Sequence, residues 1–110
     1  MKKFTLHVVN LDPTVGAEMK KTRPCLIVSP DEINTYLKTV IIVPLTSSQR
    51  ELPTRVLIRA SKDSGLANDS YAALEQLKTV DKSRLSGPIG EISEAEKHKV
   101  SVILKEMFDY

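Results

Sequence analysis

Several residue types that mark common protein classes are scarce in this 110-residue chain. Cysteine occurs once, as Cys25, so a disulfide-stapled fold is excluded, and its apolar neighbours are typical of a small buried hydrophobe. No apolar run approaches the ~20 residues that a membrane helix needs. Polar residues follow Lys2 and Lys3 closely, which is unlike a signal peptide. We therefore expect a cytoplasmic protein.

The residue sets of the commonest catalytic sites are also missing. The two histidines, His7 and His98, would have to converge to form a paired-histidine ribonuclease site. No His, Cys and Asp cluster has the spacing of zinc ligands, and Gly-x-Ser-x-Gly is absent. The four glycines form no phosphate-binding GxxxxGK loop. We therefore expect neither a metal ion nor a cofactor.

The chain also lacks a large excess of one charge and has few aromatic residues. The 16 basic and 14 acidic residues give a net charge of +2, which is too small for a protein that coats nucleic acid without specificity. Aromatic residues make up 5% of the chain, so base stacking cannot be a main source of affinity. Any binding to nucleic acid must therefore come from local basic patches.

Short runs rich in valine, isoleucine and leucine, bounded by proline, glycine, aspartate and serine, predict a mainly β protein. The predicted strands are residues 6–11, 24–29, 39–45, 55–59, 71–79 and, more briefly, 87–92. Since no linker or repeat interrupts them, we expect one domain over residues 1–110.

Two capping-box patterns predict helices. Ser29 and Glu32, with Pro30 at the first helical position, predict a short helix inserted before the third strand. Ser93 and Glu96 predict a longer one of about four turns. Its apolar stripe consists of Val100, Ile103, Leu104 and Met107. The predicted fold is α+β and mainly β: a small SH3-like antiparallel barrel with a short inserted helix and a C-terminal amphipathic helix. An open α+β sheet is the alternative.

Arg23 stands where a polar loop meets an apolar strand. Pro24 follows it, which disfavours helix and leaves Arg23 extended or in a turn. A guanidinium fixed at the edge of a core is a fork-shaped donor for a phosphate. The alternative is a surface ion pair with Glu18 or Asp12.

Thr46 ends the apolar third strand and is followed by Ser47 and Ser48. Three hydroxyls at a strand end can donate to phosphate oxygens without adding charge. The alternative is that they begin a turn, where serine and threonine are common.

Five motifs, in order, resemble the MazF/PemK toxins. They are NLDPTVGAE (10–18), KTRPCLIVS (21–29), VPLT (43–46), LPTRV (52–56) and LEQLKTVDKSRL (74–85). The resemblance spans about residues 8–108. It implies an SH3-like barrel, a homodimer, and sequence-specific cleavage of single-stranded RNA, neutralised by a cognate antitoxin in the RNA groove. It also implies catalytic roles for Arg23 and Thr46, with Glu18 in support.

On this resemblance we predict a metal-independent endoribonuclease in which the RNA's own 2′-hydroxyl attacks, leaving a 2′,3′-cyclic phosphate and a 5′-hydroxyl. Arginine is a poor base, so Glu18 or, less favourably, His7 is the candidate base. The predicted RNA contacts are polar and basic loop and strand residues, with Asn68 as a further group facing base edges. They are Lys20, Lys21, Ser47, Ser48, Gln49, Arg50, Gln76 and Lys78.

Two rival functions remain open at this point. Toxins of the same fold inhibit a protein target such as DNA gyrase, in which case Arg23 and Thr46 would be structural. The second rival function is that of a degenerate barrel, which binds RNA without cutting it.

Overall fold

The computed structural model describes residues 1–48 and 50–110 of the chain. Seven strands form one sheet in the order β4-β5-β3-β2-β1-β7, and β6 pairs with a different stretch of β3. Every pairing is antiparallel. The strands are β1 (Thr5–Asn10), β2 (Thr22–Ile27), β3 (Thr39–Thr46), β4 (Arg55–Ile58), β5 (Ser70–Ala73), β6 (Lys78–Asp81) and β7 (Leu85–Glu91). The helices are α1 (Asp31–Tyr36) and α2 (Glu94–Phe108).

The sheet separates two apolar clusters because neighbouring residues of a strand face opposite sides. The first cluster includes Leu6, Leu26, Val43 and Leu45, and α2 covers it with the fully buried Val100. The second cluster lies on the other side of the sheet. It consists of Val9, Leu11, Cys25, Ile27, Val40, Ile42 and Val80. Cys25 is thus a buried hydrophobe, as predicted.

The long helix has the structure that its sequence predicts. The Ser93 hydroxyl accepts from the Glu96 amide at 3.2 Å, and the Glu96 carboxylate accepts from the Ser93 amide at 2.8 Å. The stripe residues Ile103, Leu104 and Met107 pack partly buried against the first cluster. Burying such side chains contributes roughly 1.5–3 kcal/mol each when burial is complete, which fixes α2 to the sheet.

The predicted capping box at Ser29 is wrong. The N-cap of α1 is Pro30, which has no side-chain donor or acceptor to offer, so proline precedes the first helical residue. The Ser29 hydroxyl instead donates to Asn34 and accepts from the Ile41 amide at 3.0 Å. Ser29 therefore joins α1 to β3 rather than capping the helix.

The predicted strand over residues 71–79 is also wrong as one element. It consists of β5, a 3-10 helix at Leu74–Gln76, and β6. Leu74 is fully buried and its amide donates to the Thr54 carbonyl at 3.0 Å, which turns the chain inward. The break lets β5 pair with the end of β3 at Leu45, while β6 pairs with its beginning from Thr39.

The predicted mainly β fold with two helices is confirmed. Closure of the sheet into an SH3-like barrel stays a prediction. Within residues 1–48 and 50–110, neither helix is both long and apolar enough to cross a membrane.

Candidate active site

Arg23 lies in β2, with its side chain half-buried and fixed at two points. Its Nε donates to the Lys20 carbonyl at 3.0 Å, and its Nη1 donates to the Leu45 carbonyl at 3.2 Å. A guanidinium carries five N–H donors, so this anchoring leaves donors for a ligand. None of the ion pairs among the described residues includes Arg23, so the predicted alternative, a pair with Glu18 or Asp12, is not formed there.

Thr46 ends β3 beside Arg23. The pairing of β2 with β3 ends at Cys25 opposite Pro44. Arg23 and Thr46 lie two residues beyond these on their strands, and because side chains alternate along a strand, they face the same side as Cys25 and Pro44. Residues opposite each other in an antiparallel pair project from the same face of the sheet. The Thr46 hydroxyl accepts from the Ser48 amide at 3.2 Å, which is the predicted turn, and its own proton remains available to donate.

Lys78 joins the same face. It lies in β6 opposite Ile42, a member of the second cluster. Burial raises the pKa of the Cys25 thiol to about 12, against the opposing effect of the nearby positive charges of Arg23 and Lys78. Arg23 and Lys78 therefore both lie near the neutral Cys25 thiol, on the face of the sheet to which Thr46 also belongs.

Backbone groups of the loop between β1 and β2 form hydrogen bonds with residues on the face that carries Arg23. The Met19 amide donates to the Gln76 side-chain oxygen at 3.2 Å, which ties the loop to the 3-10 helix before β6. Lys20 and Lys21 are exposed in this loop, and the Lys20 carbonyl holds Arg23. Gln76 and Lys20 thus lie next to Arg23's surroundings. The Gln76 side-chain oxygen is occupied by its hydrogen bond from the Met19 amide.

Glu18 is exposed and engaged within its own turn. Its carboxylate accepts from the Val15 amide at 2.7 Å, and its amide donates to the Val15 carbonyl at 3.2 Å. The positive φ of 58° at Gly16 makes this tight turn accessible. The hydrogen bonds described for Glu18 do not reach Arg23.

The remaining predicted RNA contacts come directly after β3 in the sequence. Ser47, Ser48 and Arg50 are exposed, close in sequence to Thr46. Gln49 lies outside the described residues, so its predicted RNA contact stays a prediction.

The two histidines lie in different places. His7 is 5% exposed, and burial together with the positive N-terminus lowers its pKa, against an opposing backbone hydrogen bond at Ser86. It lines a cavity with Met1, Thr5 and Gly87, whereas His98 lines a groove between α2 and β4. The structure therefore does not bring His7 and His98 into one site.

A cavity of about 320 Å³ opens beside Arg23. Its lining consists of Arg23, Pro24, Leu45, Ser47, Leu66, Ala67, Asn68 and Ser70. A bigger cavity of about 560 Å³ lies between α2 and β4 and contains neither Arg23 nor Thr46. The contribution of Leu66 and Ser70 had no signal in the sequence, because only the folding of the sheet brings them to β2.

Comparisons with known proteins identify the family of the chain. Residues 2–108 match the profile of the family described as the PemK-like, MazF-like toxin of type II toxin–antitoxin systems. The chain is 34% identical over 107 residues to Endoribonuclease EndoA of Bacillus subtilis, covering 96% of this chain and 91% of that relative.

Solved structures show the same fold. MazF from Deinococcus radiodurans superposes with a TM-score of 0.84 at 22% identity, covering 100% of this chain and 97% of the other. An endoribonuclease in complex with its cognate antitoxin, from a mycobacterial species, gives a TM-score of 0.78 at 24% identity, covering 96% and 92% of the two chains. The resemblance seen in the motifs is thereby confirmed, and the chain belongs to the PemK/MazF family of type II toxin–antitoxin toxins.

Proposed function

We propose that this chain is an endoribonuclease toxin that cuts single-stranded RNA at specific sequences without a metal ion. The observation that carries the proposal is the placement of Arg23. Its guanidinium is fixed by the carbonyls of Lys20 and of Leu45, the residue before Thr46, and none of the ion pairs among the described residues includes it. Membership of a family with relatives named endoribonucleases supports the reaction class.

The reaction uses the substrate's own 2′-hydroxyl as the nucleophile. The 2′-oxygen forms a bond to phosphorus, the bond from phosphorus to the 5′-oxygen breaks, and the products are a 2′,3′-cyclic phosphate and a 5′-hydroxyl. Arg23 donates to the non-bridging oxygens and toward the leaving 5′-oxygen, and Thr46 donates to the same phosphate. Positioned donors of this kind contribute ~3 kcal/mol each to the stability of a transition state.

Two protons must also move: one leaves the 2′-hydroxyl and one reaches the 5′-oxygen. His7 lines a separate cavity, which argues against its alternative role as the base. Glu18 is the candidate base in our proposal: it accepts the 2′-hydroxyl proton once bound RNA has opened the turn that its carboxylate now closes. Water supplies the proton that the leaving 5′-oxygen takes up.

RNA is held along the face that carries Arg23. Lys78 is the best-supported phosphate contact because its charge acts on the same thiol as that of Arg23. Exposed groups of the adjoining loops add to it. They are Lys20, Lys21, Ser47, Ser48 and Arg50, with Gln76 and Gln49 as hydrogen-bonding groups.

The partners in our proposal are a second copy of the chain and a cognate antitoxin. A structural neighbour is a complex with its cognate antitoxin, which supports the latter. We place residues 1–110 in the cytoplasm as one toxin domain, which suits the single buried thiol.

The test is incubation of a long unstructured RNA with the purified chain in excess chelator, followed by mapping and end-group analysis of the products. We expect discrete cuts with cyclic phosphate ends, lost in Arg23→Ala and weakened at least tenfold in Thr46→Ala. Arg59→Ala, at an exposed arginine paired with Asp69, is the matched control and should cut normally.

Circular dichroism establishes that each variant is folded. Absence of cuts by the unsubstituted chain, or cuts unchanged in folded Arg23→Ala, would exclude the proposed enzyme and favour a toxin that acts by binding.

A further inference from the structure

The cavity beside Arg23 has the composition of a small-ligand site. Pro24, Leu45 and Leu66 give it apolar walls, and Ser47, Asn68 and Ser70 add polar groups. Sites for small molecules are mostly apolar with a few placed polar groups, and their volumes run from roughly 300 to 1,000 Å³. At about 320 Å³, this cavity has room for a planar base.

Its position ties it to the phosphate that Arg23 would hold. Arg23 is part of the lining, and the Leu45 carbonyl that accepts from Arg23 belongs to another lining residue. Consecutive phosphates of a single strand are each joined to one sugar and one base. Thr46 and Lys78 are not part of the lining, so Arg23 is the link between the cavity and the proposed phosphate site. A base in this cavity would belong to a nucleotide next to the phosphate that Arg23 holds.

The loop residues just before the lining segment 66–70 are fixed to their surroundings. The Glu91 amide of β7 donates to the Asp63 carbonyl at 2.9 Å, and the Ser64 hydroxyl donates to the Arg59 carbonyl at 2.9 Å. Gly65 lies so close to β7 that an added Cβ would be 2.0 Å from the Ile89 carbonyl oxygen. The wall of the cavity is therefore held in place before any ligand binds.

Asn68 itself is held by its neighbours while its side chain is exposed. The Ser70 hydroxyl donates to the Asn68 carbonyl at 3.1 Å, and the Asp69 carboxylate accepts from the Ala60 amide at 2.7 Å. A carboxamide offers a donor pair and an acceptor, so it can form two hydrogen bonds to a base edge. A backbone fixed in this way gives those bonds a defined geometry.

We propose that this cavity binds the base of one nucleotide flanking the scissile phosphate, and that Asn68 selects it through hydrogen bonds to its edge. The inference rests on the proposed endoribonuclease function and adds a specificity subsite to it. The protein then requires a particular base at one fixed position beside the cut, and other positions depend on other groups.

The test is cleavage of an RNA pool randomised over the target, with sequencing of the new ends. We expect Asn68→Ala to relax the base preference at one position next to the cut by about tenfold or more. Ala67→Phe, which fills the cavity, should change the preference at that same position. Lys62→Ala, in the same loop but outside the lining, should leave the preference unchanged.

The outcomes separate the two proposals. An unchanged preference in Asn68→Ala and Ala67→Phe, or a loss of cutting that is equal for all bases, overturns the subsite while the nuclease stands. If the unsubstituted chain cuts no RNA, the nuclease proposal fails. The subsite is then tested with short RNA oligomers, where only one base at one position should shift the Asn68 side-chain amide in NMR spectra. Shifts equal for all bases, or none, would overturn it.

Discussion

At the scale of single residues, Arg55 and Glu75 form the best-shielded ion pair among the described residues. Arg55 Nη2 lies 2.7 Å from the Glu75 carboxylate, and the two side chains are 11% and 30% exposed. Burial alone would raise the pKa of Glu75, but hydrogen bonds from Arg55 and Thr54 outweigh it and lower the pKa below its ordinary 4.5. The pair therefore stabilises the fold when Glu75 is ionised.

We predict that Glu75→Gln lowers the free energy of unfolding at pH 7 by about 1–2 kcal/mol, since a charged hydrogen bond is lost and Arg55 keeps its charge. A folded pKa below the unfolded one contributes stability above the unfolded value, and that contribution disappears as the pH falls through the folded pKa. The difference between variant and parent should therefore shrink below pH 4.5.

Urea denaturation at pH 7 and pH 3 measures this difference. Glu106→Gln, at an exposed carboxylate on α2, is the control and should stay within about 0.5 kcal/mol of the parent. A Glu75→Gln deficit that is independent of pH would contradict the role assigned to the pair.

Arg23 and Thr46 became candidate site residues from the sequence because they lie within motifs of neighbouring residues. Leu66 and Ser70 could not, since they reach Arg23 only through the pairing of β5 with β3 and β4. The turn that occupies Glu18 was equally invisible, because it depends on the backbone of Val15 and Gly16.

At the scale of elements, one sequence pattern gave two different outcomes. Serine followed three residues later by glutamate occurs at Ser29 and at Ser93, and only the second forms a capping box. The Ser29 hydroxyl is hydrogen-bonded to Asn34 and to the Ile41 amide instead. The bond to Ile41 is a tertiary contact, which a four-residue pattern cannot predict. Local signals therefore predict a helix end only where no partner from elsewhere competes.

We predict that Ser93→Ala costs about 1 kcal/mol, the usual effect of losing an N-cap. Glu96→Ala should cost more, roughly 2 kcal/mol, because its carboxylate also accepts from the Arg59 amide at 2.8 Å, just beyond β4. Urea midpoints of both variants decide the order, with Glu106→Ala, at an exposed position late in α2, as the control. Equal costs for Ser93→Ala and Glu96→Ala would show that the contact with Arg59 is unimportant.

At the scale of the whole molecule, the net charge of +2 leaves no general attraction for RNA. Under the proposed function, affinity for RNA must therefore come from a few phosphate contacts on the face that carries Arg23 and Lys78. Each such contact with a single strand steepens the salt dependence of binding by about 0.7 in a plot of log K against log salt.

We predict that Lys78→Ala reduces this slope by about 0.7. The measurement is fluorescence anisotropy with an RNA made uncleavable by a 2′-deoxy nucleotide at the cut. Lys105→Ala, near the end of α2, is the control and should leave the slope unchanged. Identical slopes for Lys78→Ala and the parent would remove Lys78 from the RNA surface.

The order of the strands in the sheet could not be predicted from the sequence. β1 pairs with β7 across almost the whole chain, from Thr5 to Glu91, and β3 is shared by β2, β5 and β6. Periodicity predicts where a strand lies, but it carries no information about which distant strand completes its hydrogen bonds.

The two acceptors that hold the Arg23 guanidinium are main-chain carbonyls, those of Lys20 and Leu45. A carbonyl survives almost any exchange of the side chain beside it, and it does not titrate. Position 20 is therefore free to diverge, under pressure from changing RNA targets or inhibitors, while the guanidinium keeps its place. Substitutions in the loop can therefore change the surface that a partner contacts without moving Arg23.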